Sequence, residues 1–205
     1  MSASPSPFRS AKQREADRQA KKQALLEAAV RMFNTRGYHA TSLDDVAASL
    51  GVSKPTIYHY LGNKENVLSE CLRIGLKQLL QAASDARATS GNAAQRLHRF
   101  LVGYAKVNLS EFGRCVIRTP DEALGAENLE SLLTLKRRVH AAMCDFLKEG
   151  MSDGSIAPCD ANLMAFTLAG ALNWPARWYD PDAGHDPYKT VDAMVENLAT
   201  GFLPR

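Results

Sequence analysis

The sequence predicts an all-α protein made of short N-terminal helices followed by a longer helical region. Apolar residues recur at intervals of three and four along the 205-residue chain, as they do on the buried face of a helix, and show no strand-like alternation. A composition of 45% hydrophobic and 23% charged residues is that of an ordinary globular protein. We therefore expect a three-helix helix-turn-helix domain, joined by a long helix to a second helical domain.

The basic charge is concentrated towards the N-terminus. Residues 1–66 hold ten Lys and Arg against six Asp and Glu, a net charge of +4, whereas residues 67–205 hold fifteen against sixteen, a net charge of −1. Such asymmetry indicates a module that binds a polyanion at one end of the chain. Six basic residues between positions 9 and 22 further predict a flexible basic arm over residues 1–23.

The sequence does not favour a metal-binding, membrane-spanning or secreted protein. The four cysteines lie 44, 29 and 15 residues apart, and the five histidines form no metal-binding motif, so we expect neither a metal nor a cofactor. The longest apolar stretch, residues 165–176, is shorter than the ~20 residues of a bilayer span. The N-terminus lacks the apolar core of a signal peptide. We expect a cytoplasmic, nucleoid-associated protein without membrane contact.

Residues 24–66 predict the helix-turn-helix domain. Ser42 and Asp45 form a relative of the capping box at the start of the second helix. Ser53 can cap a third helix that has Pro55 in its first turn. Asn63 caps the long fourth helix, which joins this domain to residues 67–205. Short helices separated by a tight turn are the helix-turn-helix pattern.

The third helix leaves a polar face exposed. Ile57 and Leu61 share one face and can pack inward. The opposite face offers a cation, hydroxyl groups and an imidazole, which suit base edges and phosphates in a major groove. The alternative is that its tyrosines are core aromatics. The outward residues are Lys54, Thr56, Tyr58 and His59, with Ser42, Asn63 and Lys64 at nearby helix starts.

Residues 25–71 resemble the DNA-binding domain of the TetR family of bacterial regulators. The resemblance runs in register through Phe33, Gly37, Thr41, Ile57, Tyr58, Lys64 and Leu68. Leu61 departs from it, since the family more often has phenylalanine there. The resemblance implies that DNA is contacted by Ser42, Lys54, Pro55, Thr56, Tyr58, His59 and Lys64. To these we add Ser53 and Tyr60, which lie beside them in the sequence.

The region 67–205 predicts the ligand-binding and dimerisation domain. Helical periods cover residues 94–112, 127–150 and 160–179, with a kink at Pro175, and a last helix opens at Asp186-Pro187. The family resemblance implies a homodimer through the last two long helices, reading a palindromic operator. Four small residues in these helices, Ala165, Ala169, Gly170 and Ala171, would allow the helices to approach closely, and Leu198 and Phe202 would anchor the final helix. The alternative is a monomer whose last helices pack internally.

Two arginine-containing segments predict the chemical class of the ligand and the residues that bind it. Arg114 and Arg118 lie four residues apart around an expected helix break, and Arg177 lies between two tryptophans. Guanidinium groups beside aromatic rings suit an anion joined to an apolar body. The alternative is surface ion pairs beside tryptophans in a dimer core. The predicted ligand-binding residues are Tyr104, Phe112, Arg114, Arg118, Met143, Trp174, Arg177 and Trp178.

The C-terminal run GSIAPCDANLMAFTLAGALNWPARWYDP is similar to the branch of the TetR family that senses acyl-CoA thioesters in lipid, sterol and aromatic degradation. The primary hypothesis is thus a repressor that releases its operator on binding a hydrophobic anionic inducer, although the sequence also allows an activator. A lipophilic drug-like ligand or a ligand-independent DNA-packing protein are the alternatives. An enzyme is disfavoured because the sequence shows no nucleophile–base pair, phosphate loop or metal spacing.

Overall fold

The computed structural model describes residues 11–178, 184 and 186–200, and every regular element within these residues is helical. The predicted all-α class is confirmed. Among these residues, no helix combines the length and the apolar character that crossing a bilayer requires. The α-helices are α1 (Ala11–Arg36), α2 (Leu43–Ser49), α3 (Lys54–Leu61), α4 (Lys64–Arg87), α5 (Ala93–Leu109), α6 (Glu111–Arg118), α7 (Ala126–Asp153), α8 (Ala161–Asn173), α9 (Pro175–Trp178) and α10 (Pro187–Thr200), and a 3-10 turn spans Asp121–Ala123.

The chain forms two compact units, Met1–Val67 and Leu68–Arg205. Helix α4 begins in the first unit and continues into the second. In the first unit, α1, α2 and α3 pack against one another around a small apolar core. Its most deeply buried side chains come from all three helices and include Leu26, Ala29, Val30, Val46, Ala47 and Ile57.

The start of α1 corrects the predicted flexible arm. The helix begins at Ala11, so residues 11–23 are helical. This stretch holds neither glycine nor proline and consists largely of residues with a strong helix propensity. Such a segment can stay helical without an apolar face when it extends a helix that is packed further along the chain. A hydrogen bond of 2.6 Å from Gln19 Nε2 to Glu15 Oε1 supports this exposed section. Residues 1–10 lie outside the described residues.

In the second unit, α5 packs against α6, α7, α8 and α10. The rings of Phe100 and Phe146, both fully buried, lie 5.5 Å apart between α5 and α7. Cys71 and Cys115 add small apolar groups to the interior, and burial raises the pKa of the Cys115 thiol to about 11. Val191 and Val195 bury one face of α10.

Two chain breaks refine the predicted helices. The expected helix over residues 94–112 ends at Leu109, and Ser110 caps a separate α6 by accepting a hydrogen bond of 3.2 Å from the Gly113 amide. Backbones approach so closely here that a Cβ at Gly113 would lie 1.9 Å from the Val107 carbonyl oxygen. The expected break around Arg114 was therefore placed too late. The kink at Pro175 is confirmed, because α8 ends at Asn173 and α9 begins at Pro175.

Candidate nucleic-acid interface and ligand cavity

Helix α3 has the two faces that its sequence predicts. Ile57 and Leu61 are buried, whereas Lys54, Tyr58 and His59 are exposed. The other predicted contacts are also at least partly accessible. Of these, Ser42, Ser53 and Pro55 are exposed, and Thr56, Tyr60 and Lys64 are half-buried. The outward side chains of α3 and of the neighbouring helix starts are therefore accessible at the surface of the first unit.

Hydrogen bonds between near neighbours hold this surface. Ser42 and Asp45 form the predicted capping box, in which the Asp45 amide donates to Ser42 Oγ at 3.0 Å and Asp45 Oδ2 accepts from the Ser42 amide at 3.0 Å. The Ser42 hydrogen bonds lower the pKa of the Asp45 carboxyl. Ser53 precedes α3, but its hydroxyl does not cap the helix; it lies 2.8 Å from Thr56 Oγ1. Because the Ser53 hydroxyl contacts the Thr56 hydroxyl, it does not accept a hydrogen bond from the first amides of α3.

A cleft of about 300 Å³ adjoins α3. Lys64 lines it from the start of α4, with Nζ 4.3 Å from the centre of the Tyr38 ring and donating to the His39 carbonyl at 3.3 Å. Partial burial lowers the pKa of the Lys64 ammonium. Thr41, Ser42 and Tyr58 are also part of the wall. The Thr41 hydroxyl donates to backbone carbonyls and the Ser42 hydroxyl to Asp45, whose carboxylate is also part of the wall. The Lys64 ammonium and the Tyr58 hydroxyl are therefore the groups that can donate to a phosphate oxygen here.

One cation of this surface is already paired. Lys54 Nζ lies 2.6 Å from Asp44 Oδ2, and this hydrogen bond raises the pKa of the Lys54 ammonium. The other carboxylate oxygen, Asp44 Oδ1, is buried and has no hydrogen-bond partner among the described residues. Asp44 was not singled out in the sequence, because a carboxylate in the first turn of a helix is typical of an interaction with the helix dipole and does not indicate a distant partner.

The second unit contains a cavity of about 580 Å³. Its walls come from α4 to α9 and are mainly apolar, because aliphatic and aromatic side chains of α4, α6, α7 and α8 face it. These apolar residues are Leu76, Leu79, Val116, Ile117, Val139, Met143, Phe166, Ala169 and Trp174. The volume lies within the range of small-molecule sites in proteins.

Polar groups reach the cavity from several helices. The Tyr104 hydroxyl donates to Asn173 Oδ1 at 2.8 Å, and Asn108 Nδ2 donates to the same oxygen at 2.9 Å. Burial raises the pKa of the Tyr104 phenol. Arg177 donates to the Ile117 carbonyl at 3.3 Å, which uses one of its five N–H groups.

Two further titratable side chains of the wall come from α7. Lys136 Nζ lies 2.5 Å from Asp121 Oδ1. The His140 ring stacks on Phe166 at 4.3 Å and lies 2.7 Å from Asn162 Oδ1 through Nε2. Neither Lys136 nor His140 was singled out in the sequence. Their spacing of four residues, flanking the apolar Val139 on the inward face of α7, is the signal that points to them.

The structure divides the predicted ligand residues into two groups. Tyr104, Met143, Trp174 and Arg177 line the cavity. The other four do not line it. Phe112 and Arg114, both in α6, are buried, while Arg118 and Trp178 are exposed. The helical spacing of Arg114 and Arg118 is real, but both lie on α6 with one pointing inward and the other outward. The two arginines therefore do not line this cavity together.

Helix α8 exposes large apolar side chains. Leu163 is 65% exposed, Phe166 60% and Trp174 61%. Gly170 lies between them with nothing within 4 Å of where its Cβ would be. Of the small residues predicted to permit helix approach, Ala165 is instead fully buried within the unit. The predicted anchor Phe202 lies outside the described residues.

Comparison with known proteins agrees with this architecture. Residues 25–71 match the family model described as bacterial regulatory proteins of the tetR family, and residues 90–202 match that of the tetracyclin repressor-like C-terminal domain. The regulator YhgD of Bacillus subtilis is 29% identical over 179 residues, covering 86% of this chain and 93% of its own. The repressor KstR2 of Mycolicibacterium smegmatis is 28% identical, over 77% of this chain and 78% of its own.

Solved structures share the fold. The TetR family regulator PfmR of Thermus thermophilus superposes with a TM-score of 0.80 at 28% identity, over 88% of this chain and 99% of PfmR. The C-terminal model alone spans more than half of the 205 residues. Members of this family are DNA-binding regulators rather than enzymes. The chain therefore belongs to the TetR family of bacterial transcriptional regulators.

Proposed function

We propose that two copies of this chain bind a palindromic operator and release it when a hydrophobic anionic ligand fills the cavity of the second unit. The observation that carries the proposal is the cavity itself, in which two cations, Lys136 and Arg177, stand in mainly apolar walls. Apolar walls favour an apolar body, and cations in a partly desolvated site favour an anionic group on it.

The operator side of the proposal rests on α3. Its exposed face, with Lys54, Tyr58 and His59, would enter the major groove, while Ser42 and Lys64 would contact phosphates beside it. Thr56 and Tyr60 would complete the contacts at the edges of this face. Two such faces related by a two-fold axis require a palindromic operator.

The dimer side rests on α8. Leu163 and Phe166 of α8, with Trp174 directly after it, form an apolar surface that is exposed to water in a monomer. Phe166 and Trp174 also line the cavity, so this surface continues into the cavity wall. We propose that this surface, together with α10, packs against the same surface of a second copy.

Acyl-CoA thioesters are the ligand class that we propose. Their acyl chain is apolar and their phosphates are anionic, which suits the cavity walls. AibR, a protein of the same fold at 24% identity, has been solved in complex with isovaleryl coenzyme A and operator DNA (TM-score 0.78). A coupling of about 1–3 kcal/mol between the two sites would change operator affinity about 5- to 150-fold.

The test uses an operator selected from a pool of random duplexes and measures its release by fluorescence anisotropy. Lauroyl-CoA should release the wild-type protein, and Arg177→Ala should need about ten-fold more of it, because its anionic group loses a charge-assisted partner. The exposed Arg118, which does not line the cavity, provides the matched control Arg118→Ala.

Other outcomes assign Arg177 differently. If Arg177→Ala releases DNA at the wild-type concentration, the ligand does not contact Arg177 and the proposed site is wrong. If it no longer dimerises, Arg177 belongs to the subunit interface. Release by a neutral or cationic lipophile in place of lauroyl-CoA would support the drug-like alternative, for which the carboxylate of Asp121 in the cavity wall is the favourable observation.

A further inference from the structure

An acidic side chain, Asp121, lines the cavity beside Lys136. Among the described residues that line it, Asp121 is the single acidic one, and its Oδ1 lies 2.5 Å from Lys136 Nζ. The side chains of Lys136 and Asp121 are 37% and 46% exposed. A pair this accessible to solvent is held weakly, because water screens the attraction. Lys136 is thus paired, but the pair can separate.

The turn that carries Asp121 does not depend on this ion pair. The Ala123 amide donates to the Pro120 carbonyl at 3.2 Å, and the Leu124 amide donates to the Asp121 carbonyl at 3.2 Å. The buried Leu124 side chain fixes the end of the turn. The carboxylate can therefore swing away from Lys136 while the backbone around it stays folded.

We propose that Asp121 is a built-in competitor for Lys136, whose carboxylate holds the ammonium until the anionic group of the inducer replaces it. This inference rests on the proposed function of the cavity and names the residue that receives the anion. A lysine ammonium is a compact charge on a flexible stem, so it can turn from one acceptor to another. Two anions at one ammonium repel each other, which makes exchange more favourable than addition.

The geometry of α7 provides for the rest of such a ligand. Val139 and Met143 follow Lys136 at three and seven residues, on the same face of the helix, and all three line the cavity. An anion at Lys136 would therefore place its apolar body over Val139 and Met143. The anion can be a carboxylate or a phosphate, because an ammonium donates hydrogen bonds to either group.

The experiment measures binding of three probes to the full chain: dodecanoate, lauroyl-CoA and the neutral dodecanamide. Tryptophan fluorescence reports binding, because Trp174 lines the cavity. Asp121→Asn should tighten binding of the anionic probes about five-fold, since it removes the competitor, and Lys136→Gln should weaken it about ten-fold. Both variants should leave the affinity for dodecanamide within about two-fold of wild type.

A neighbouring ion pair provides matched controls. Arg137 lies next to Lys136 in α7 and pairs with Glu130 at 3.1 Å, outside the cavity wall. Glu130→Gln and Arg137→Gln make the same changes of net charge as the two test variants. Both should leave all three affinities unchanged. A tightening by Glu130→Gln equal to that by Asp121→Asn would reduce the effect to overall charge and overturn the proposal.

The remaining outcomes separate this inference from the proposed function. Tightening of dodecanoate alone, or of lauroyl-CoA alone, supports the exchange and identifies the anion as a carboxylate or a phosphate. If Asp121→Asn leaves both anionic probes unchanged or weakens them, Asp121 is no competitor. Ala169→Phe, checked for folding by circular dichroism, narrows the cavity and should weaken every probe. If the probes bind but Ala169→Phe has no effect, the cavity is not the ligand site, and the proposed function fails as well.

Discussion

The two units hold their functional side chains in different ways. Around α3, most polar groups are fixed by near neighbours in the sequence, such as the Ser42–Asp45 capping box and the Lys54–Asp44 pair, and the longest reach is that of Lys64 to the His39 carbonyl, 25 positions away. Around the cavity, they are fixed by distant partners: Tyr104 bonds to Asn173 across 69 positions, and Arg177 to the Ile117 carbonyl across 60. The first surface is built by local structure, whereas the second depends on how six helices pack.

This difference has a functional consequence. A surface fixed by local contacts keeps its shape when the rest of the molecule rearranges, which suits a constant operator. Walls contributed by separate helices can shift relative to one another when a ligand enters, which suits a sensor.

The largest effect on DNA binding should come from a residue outside the DNA-binding unit. Leu163→Glu places a charge in the proposed dimer surface of α8, where burying an unpaired carboxylate costs about 3–5 kcal/mol. The dimer dissociation constant should rise on the order of 100-fold or more. Sedimentation should detect monomers, and operator affinity should fall with the loss of the second α3.

Ser152→Glu is the charge-matched control, because Ser152 is exposed at the end of α7 and lies outside α8. It should leave both dimerisation and operator affinity at wild-type values. If Leu163→Glu remains dimeric with full operator affinity, the exposed face of α8 is not the interface, and dimerisation must be sought elsewhere in the second unit.

Within the DNA-binding unit, Tyr58 and Lys64 should contribute in different ways. Tyr58→Ala should lower the preference for the operator over random duplexes, since a base contact is worth about 1–3 kcal/mol. Lys64→Ala should weaken binding to all sequences almost equally and flatten the salt dependence by about one charge. Anisotropy titrations at several salt concentrations measure both. Equal salt slopes and unchanged specificity in both variants would contradict the placement of α3 in the groove.

The predictability of the DNA-binding unit follows from its local construction. Once Ile57 and Leu61 are assigned to the core, a short helix has one remaining face, so Tyr58 and His59 must point outward. The capping box is likewise a spacing of three residues. What the sequence pattern missed there is the role of Asp44, because a carboxylate next to a capping residue suggests a helix-dipole interaction and not a partner ten positions later.

The cavity was predictable only in part. Large side chains at helical spacing, such as Tyr104 and Met143, were identified because they must be buried somewhere. The pairing of Lys136 with Asp121 depends on how the turn after α6 returns to α7, which no periodicity encodes. The same limitation explains Arg114 and Arg118. Their spacing was visible, but the direction of α6 relative to the cavity was not.

Acid should weaken a distant contact of the second unit. Arg87 hydrogen-bonds Glu149 at 2.7 Å from 62 positions away and lowers the pKa of that carboxyl below its ordinary value of 4.5. The contact therefore stabilises the fold above pH 4.5 and ceases to do so as pH falls through the lower, folded-state pKa. Glu149→Gln should cost at most about 1 kcal/mol at pH 7, and this cost should approach zero as pH falls through the folded-state pKa, which lies below 4.5.

Urea unfolding followed by tryptophan fluorescence measures this effect, because Trp174 and Trp178, the two tryptophans of the chain, both lie in the second unit. Glu130→Gln, which removes the exposed partner of Arg137, is the control for a contact between residues seven positions apart. A cost of Glu149→Gln that is the same at pH 3 and pH 7 would show that packing, and not the charge of Glu149, stabilises the unit.

The smallest expected effect concerns the local pair on the DNA-binding surface. Asp44 balances the charge of Lys54 at 2.6 Å, so Asp44→Asn should add one net positive charge to the face that we propose meets DNA. Affinity for the operator and for random duplexes should rise together, about two- to five-fold, and the salt dependence should steepen by about one phosphate contact. Glu27→Gln changes the charge equally on exposed α1 and should have a smaller effect. If Asp44→Asn instead weakens operator binding, Asp44 orients Lys54 towards the DNA, and even this local pair serves recognition rather than restraint.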